Sequence, residues 1–262
     1  MNPLSAIGWG ALFAGLVMVT TWLIQRRTGD AGIVDVVWAA SIGILALAYA
    51  QGGSGVLERR VLVGVFGAVW SLRLACYLFV DRVRANEEDG RYQLLRQLWG
   101  ARASLYFFLF FQVQALLVVV FALPFFLVAQ NTAPLSWLDG LGIAIFCFAL
   151  SGESLADRQL ARFRRTAENK GRTCRQGLWR YSRHPNYFFE WLHWWAYLPL
   201  ALGASWGLLS LVAPAAMLYL LFFITGIPYT EKQALRSRGD EYRAYQRSTS
   251  AFFPWFPREE VS

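Results

Sequence analysis

The sequence predicts an all-α, polytopic membrane protein of seven transmembrane helices, with the N-terminus outside and the C-terminus cytoplasmic. Three observations carry this reading. Of 262 residues, 56% are hydrophobic and only 16% charged, against roughly 45–50% and about 25% in a soluble domain. Near-uncharged runs of roughly 18–25 residues recur along the chain, each long enough for a membrane-crossing helix. Finally, once those runs are taken as spans, 22 of the 25 Lys and Arg residues fall on one side, the side the positive-inside rule assigns to the cytoplasm.

The spans read 7–24, 33–50, 61–80, 105–129, 135–151, 187–204 and 208–225. No basic residue precedes the first, and Arg26 and Arg27 follow it, so it reads as a span and not as a secretory leader. The second opens with GIVDVVW. Its Asp35 is either a first-turn acid favoured by the helix dipole or a buried carboxyl that acts on a carbonyl. Arg73 lies twelve residues past Val61 in the third span, deep for a snorkelling guanidinium, which points to a buried ligand or ion-pair role. Arg82, Arg84, Glu87, Glu88, Asp89 and Arg91 then read as a mixed-charge, solvated loop.

The fifth span runs on into the cytoplasm as SGESLADRQLARFRR. Glu153, Asp157, Leu160 and Arg164 recur there at i, i+4, i+7 and i+11, on one helix face. That face is either an ion-pair-laced surface or the wall of a polar cofactor cavity. The sixth span belongs to the stretch GLWRYSRHPNYFFEWLHWW, residues 177–195, around which the rest is organised. Pro185 suits a first helical turn. From it, Asn186, Glu190, His193 and Tyr197 form one polar stripe on an apolar rod. An ionisable residue at such depth costs roughly 2.5–3.5 kcal/mol, so Glu190 is a functional candidate. The helix start, with Tyr181, Arg183 and His184, suits an anion. After the seventh span the tail TEKQALRSRGDEYRAYQRSTSAFFPWFP is amphipathic and then aromatic; it either lies on the membrane surface or, the preferred reading, folds back under the cytoplasmic loops as a lid.

Three cysteines without CxxC spacing and two histidines leave no metal site to expect. Arginine supplies 23 of the 25 basic residues, and guanidinium forks bind phosphate bidentately. The basic residues sit in short loops between spans, which argues against nucleic acid as a ligand. No linker or repeat divides the chain, so 1–262 reads as one domain.

The strings GLWRYSRHPNYFFEW and EYRAYQRSTSAFFPWFP, either side of a last span, resemble the steroid 5α-reductase-like superfamily of membrane enzymes, in its bacterial branch. The resemblance is carried from about Glu153 to Pro257, and before that by spacing alone. Arg183, His184, Asn186, Tyr187 and Glu190 match a string of the sterol C14-reductases position by position. Asp157 and Arg164 match positions of the upstream reductase helix, and Glu153 stands where that pattern has asparagine. Arg172 matches an arginine ahead of the Gly-Leu-aromatic string.

The resemblance implies NADPH-dependent reduction of a carbon–carbon double bond conjugated to a ketone, with a steroid as one such substrate. The N-terminal helices, 1–130, would serve the substrate and residues 135–262 the cofactor. Asp35 would polarise the enone oxygen as a protonated carboxyl. Trp70 occupies the place of the family's tyrosine partner, and Tyr77 is the substitute expected for it. Glu190 joins Asp35 and Tyr77 as catalytic candidates. Arg73, Arg84, Glu153, Asp157, Arg164, Arg172, Tyr181, Arg183, His184, Asn186, Tyr187, Glu190, Glu231 and Tyr245 are the candidates for NADPH. The substrate would be lipophilic and enter from the bilayer, with membrane lipids the other partners, no nucleic acid and no obligate protein partner. The site would face the cytoplasm of a bacterial inner membrane. Isoprenylcysteine carboxyl methyltransferases share an arginine-histidine-proline-any-tyrosine string, a glutamate near Glu231 and a tail like EYRAYQ, so an S-adenosylmethionine-dependent membrane methyltransferase is the alternative.

Overall fold

A computed structural model of the chain describes residues 3–80, 88–224 and 226–258. It is all-helical, 81% helix, with no strand among the described residues. Its helices are α1 (Pro3–Thr28), α2 (Ile33–Gly52), α3 (Leu57–Leu78), α4 (Gly90–Trp99), α5 (Ala103–Ala129), α6 (Trp137–Arg165), α7 (Pro185–Trp195), α8 (Tyr197–Ala201), α9 (Val212–Tyr219) and α10 (Ile227–Ser248). Six helical segments are long and apolar enough to cross a membrane; this is an integral membrane protein. The stretch expected as a single sixth span, 187–204, is instead divided between α7 and the five-residue α8. The cause is Pro199. It offers no N–H to the carbonyl four residues back, at Trp195, and its ring crowds that carbonyl, so the helix stops there.

The chain forms two compact units: Met1–Leu135 with Leu200–Val212, and Ser136–Pro199 with Ala213–Ser262. In the first, α2 lies against α1, α3 and α5. Ser71 Oγ on α3 donates to the Ala39 carbonyl of α2 at 2.7 Å, a buried cross-helix bond of the kind that substitutes for the hydrophobic effect in lipid. Trp38 packs edge-on against Trp70 and Phe121.

In the second unit α6 begins with a capping box. The Ser136 side chain accepts from Leu138 N, and Ser136 N donates to Asp139 Oδ2 at 2.7 Å, so free amides at the helix start are satisfied. α6 packs along α7. Gly152 is what allows this, because a Cβ there would collide with the Phe189 ring. The polar helix α10 follows the apolar part of the last candidate span and is broken at Gly239, whose φ of +51° suits only glycine. Beyond the break, Tyr242 and Tyr245 turn inward and are buried together with Ala234.

Candidate functional site

Among the described residues, each unit carries a cluster of buried and half-buried polar side chains that pair across elements. In the first unit the cluster is built where α4 meets the start of α2. The Asp89 side chain caps α4 by accepting from Arg91 N at 2.8 Å. This places Arg91 and Tyr92 in the first turn, aimed at Asp35. Arg91 Nη2 donates to Asp35 Oδ2 at 2.8 Å and Tyr92 OH donates to Oδ1 at 2.6 Å. Tyr92 is buried, its ring against Phe107 and Phe110. Four residues on, Arg96 donates to Glu88 Oε1 at 2.7 Å and to the Gly29 carbonyl at 2.9 Å, and the same Glu88 oxygen accepts from Ala31 N. Two lashings therefore hold α4 to the α1–α2 corner.

Two sequence expectations change here. Glu88, Asp89 and Arg91 are not a solvated loop: their side chains are 12%, 16% and 21% exposed, and all three are paired. The aspartate cap creates the helix that buries them. And the phenol on Asp35 is Tyr92, not Tyr77, which lies exposed near the end of α3. The cue was present in the sequence as Asp89-Gly90 ahead of an amphipathic segment, a helix start hidden inside a mixed-charge run. Arg73 is half-buried on α3. Arg84, and with it Arg82 and Glu87, lies outside the described residues.

The second unit's cluster surrounds Glu231 on α10. Arg183 Nε donates to Glu231 Oε1 at 2.7 Å, and Gln246 Nε2 donates to Oε2 at 2.7 Å. His184 Nε2 lies 3.4 Å from Oε1. Burial alone would raise the Glu231 carboxyl, but the hydrogen bonds and charge of its three partners outweigh this and hold it at about 2. Burial lowers the His184 imidazole, against the pull of Glu231. The pair thus works as a neutral histidine beside an ionised carboxylate. His184 stacks on Tyr187 with rings 7° from parallel, and Tyr187 OH lies 3.2 Å from Thr230 Oγ1.

Around this centre, Arg183 Nη1 donates to the carbonyls of Gln246 and Thr249. Tyr245 OH donates to the Trp179 and Ser182 carbonyls, and burial pushes its phenol well up. The tail folds back over the Tyr181–His184 turn. Ser182 Oγ donates to the Phe252 carbonyl at 2.8 Å, and Trp255 N donates to the Tyr181 carbonyl at 2.9 Å.

On the α7 stripe, Asn186 Nδ2 is 3.4 Å from Asp157 Oδ1 of α6, and Trp194 Nε1 donates to Glu190 Oε1 at 3.2 Å. His193 Nε2 and Tyr197 OH are 2.8 Å apart. Along the α6 face exposure rises from buried Glu153 through half-buried Asp157 to exposed Arg164, and Arg172 is exposed as well. The unit therefore joins Arg183, His184, Glu231 and Tyr187, and separately joins Asn186 to Asp157. Gln246 and Thr230 enter the first group unforeseen. They stand on the i+15 and i−1 sides of Glu231 in α10, and no spacing rule singles them out.

Arg164 and Arg172 present guanidinium groups at the surface, and the Asn186–Asp157 pair holds both a hydrogen-bond donor and an acceptor.

A sequence family described as "Protein of unknown function (DUF1295)" matches residues 21–249. This family lies within the steroid 5α-reductase-like superfamily. Among curated proteins, "Uncharacterized protein C594.04c" of Schizosaccharomyces pombe is 26% identical over 94% of this chain and 78% of its own length. No solved structure matches the chain.

Proposed function

The chain belongs to the DUF1295 family, and from that premise we propose that it is an NADPH-dependent membrane reductase. Its reaction is reduction of a carbon–carbon double bond conjugated to the ketone of a lipophilic substrate such as a 3-oxo-Δ4 steroid. The observation that carries this reading is the 2.6 Å bond between Tyr92 OH and Asp35, backed by Arg91. A buried phenol held at a carboxylate is a proton-bearing group kept in one place. NADPH, when bound, would supply a hydride to the β-carbon. Asp35, ion-paired to Arg91, holds the phenol in place. With the enone bound, the single Tyr92 O–H turns from Asp35 to hydrogen-bond the enone oxygen as negative charge gathers there, and a solvent proton goes to the α-carbon. Asp35 thus acts through the phenol.

On the nucleotide side, Arg164 and Arg172 are assigned to the phosphates. Asn186, Asp157, Tyr187 and Glu190 are assigned to the ribose and nicotinamide. Arg183, His184, Glu231 and Tyr245 form the frame that holds the α7 start and the tail in place. The excess of basic residues on one side of the spans supports a site facing the cytoplasm.

A second reading, S-adenosylmethionine-dependent methyl transfer, is favoured by one observation: Glu231 closes on Arg183 and His184. Thermal unfolding of the detergent-purified protein separates the two. A ligand present at 100 times its Kd adds about 2.7 kcal/mol of stability. The reductase reading expects NADPH to raise the midpoint and S-adenosylmethionine to leave it unchanged; the opposite pattern transfers the assignment to the methyltransferase.

A further inference from the structure

A cavity of about 410 Å³ lies under the C-terminal tail, and none of the residues lining it is acidic. Its walls are of two kinds. Arg183, Arg247 and Arg258 contribute the cationic wall, with the hydroxyl-bearing run Ser248–Ser250 beside them. Arg183 is neutralised by Glu231, whereas Arg247 and Arg258 are exposed. The other wall is aromatic: Phe253, Trp255 and Phe256, which are 54%, 71% and 75% exposed.

Two features say what such a cavity holds. The tail backbone is pinned, with Arg258 N donating to the Ser248 carbonyl at 2.8 Å and Trp255 N to the Tyr181 carbonyl at 2.9 Å. The aromatic side chains are therefore presented outward instead of collapsing inward. Phe253 also packs on Phe188 and Trp191 of α7, with ring centroids 6.0 and 5.7 Å away, so the aromatic wall continues the aromatic surface of that helix. Aromatic side chains next to arginines at a helix end are the pattern of a membrane–water boundary. A free anion would use the cationic wall and leave the aromatic wall wet.

We propose that this cavity binds the phosphate of an anionic glycerophospholipid, with Arg247 and Arg258 on the headgroup and the acyl chains leaving along Phe253, Trp255 and Phe256. The site is independent of the reductase reading, because neither NADPH nor the enone takes part in it.

The test is lipid binding to the full chain in detergent, followed by thermal unfolding and by native mass spectrometry. The probes are dioctanoyl phosphatidylglycerol, dioctanoyl phosphatidylcholine and inorganic phosphate. Phosphatidylglycerol is expected to bind and to raise the unfolding midpoint, and the other two are not. Arg247→Gln with Arg258→Gln should weaken phosphatidylglycerol at least about tenfold, the order expected for loss of two charge-assisted contacts. Trp255→Ser should weaken it while leaving the response to phosphate as it was. Equal responses to phosphatidylcholine and phosphatidylglycerol overturn the proposal, as does an undiminished response in the arginine variant. A response to inorganic phosphate as large as that to the lipid makes the cavity a free-anion site, which also overturns it. Should the double arginine variant fail to fold, Arg247→Gln alone carries the same comparison.

Discussion

Glu231 receives Arg183, Gln246, His184 and Tyr242 on a single carboxylate, and this concentration of partners makes it the most consequential residue of the second unit. Its carboxyl is held at about 2, below the ordinary 4.5, so the bound state favours the ionised form. Its contribution to stability is therefore fully present above about pH 4.5 and is lost as pH falls toward about 2. Unfolding midpoints measured across that window should fall for the native protein, and more steeply than for Glu231→Gln. At neutral pH, Glu231→Gln leaves the Arg183 guanidinium buried without its counter-charge, and a loss of about 3 kcal/mol is expected. Equal midpoints for the two proteins at pH 7 would show that Glu231 does not bear on the fold.

At this scale the sequence was readable where chemistry and periodicity coincide. Glu190 and Asn186 stand out because polar residues recur on an apolar rod, and Asp35 because an acid opens a span. Tyr92 was not readable as a functional group, since its partner lies 57 positions away and a run of charges covers the helix start that orients it.

Helices α6 and α7 carry the Asp157–Asn186 pair, and their closeness depends on Gly152 lying under Phe189. Gly152→Val places a branched side chain where the ring now rests. Overpacking of this kind costs about 1–3 kcal/mol. It should lower the unfolding midpoint and loosen the Asn186–Asp157 contact one turn further along. A variant as stable as the native protein would mean that the two helices are not held by this contact. The element boundaries show why hydropathy alone misjudges this region. Composition reads 187–204 as a continuous apolar run, but Pro199 dictates where hydrogen bonding ends, and α7 stops at Trp195. The capping box at Ser136 and Asp139 is likewise a local signal that span averaging hides.

Among the described residues the molecule is all-helical, with six segments able to cross a membrane. That much was open to reading, because the cost of unsatisfied backbone in lipid leaves helices or closed barrels as the only choices. From the asymmetry of the arginines we propose an orientation, C-terminus inward. A fluorescent protein fused at the C-terminus should then fold and emit, and an alkaline phosphatase fusion at the same point should be inactive; a dark, phosphatase-active pair of fusions contradicts that orientation. What the sequence could not disclose is how polar residues distant in the chain select each other. The lashing of α4 onto the α1–α2 corner and the docking of the tail on Tyr181–His184 are settled by three-dimensional pairing, not by pattern.

The central claim is that Tyr92, fixed by Asp35, activates an enone for hydride delivered from NADPH. Its most direct measurement is deuterium transfer from NADPH labelled at the nicotinamide C4 to a testosterone-like enone, followed by mass spectrometry with the native protein and with Tyr92→Phe. The account predicts one deuterium on the β-carbon of the saturated product, and a rate roughly a hundredfold or more lower for Tyr92→Phe, the usual cost of a lost oxyanion donor. Transfer at an undiminished rate by Tyr92→Phe, or no label in any product while S-adenosylmethionine is consumed, contradicts it.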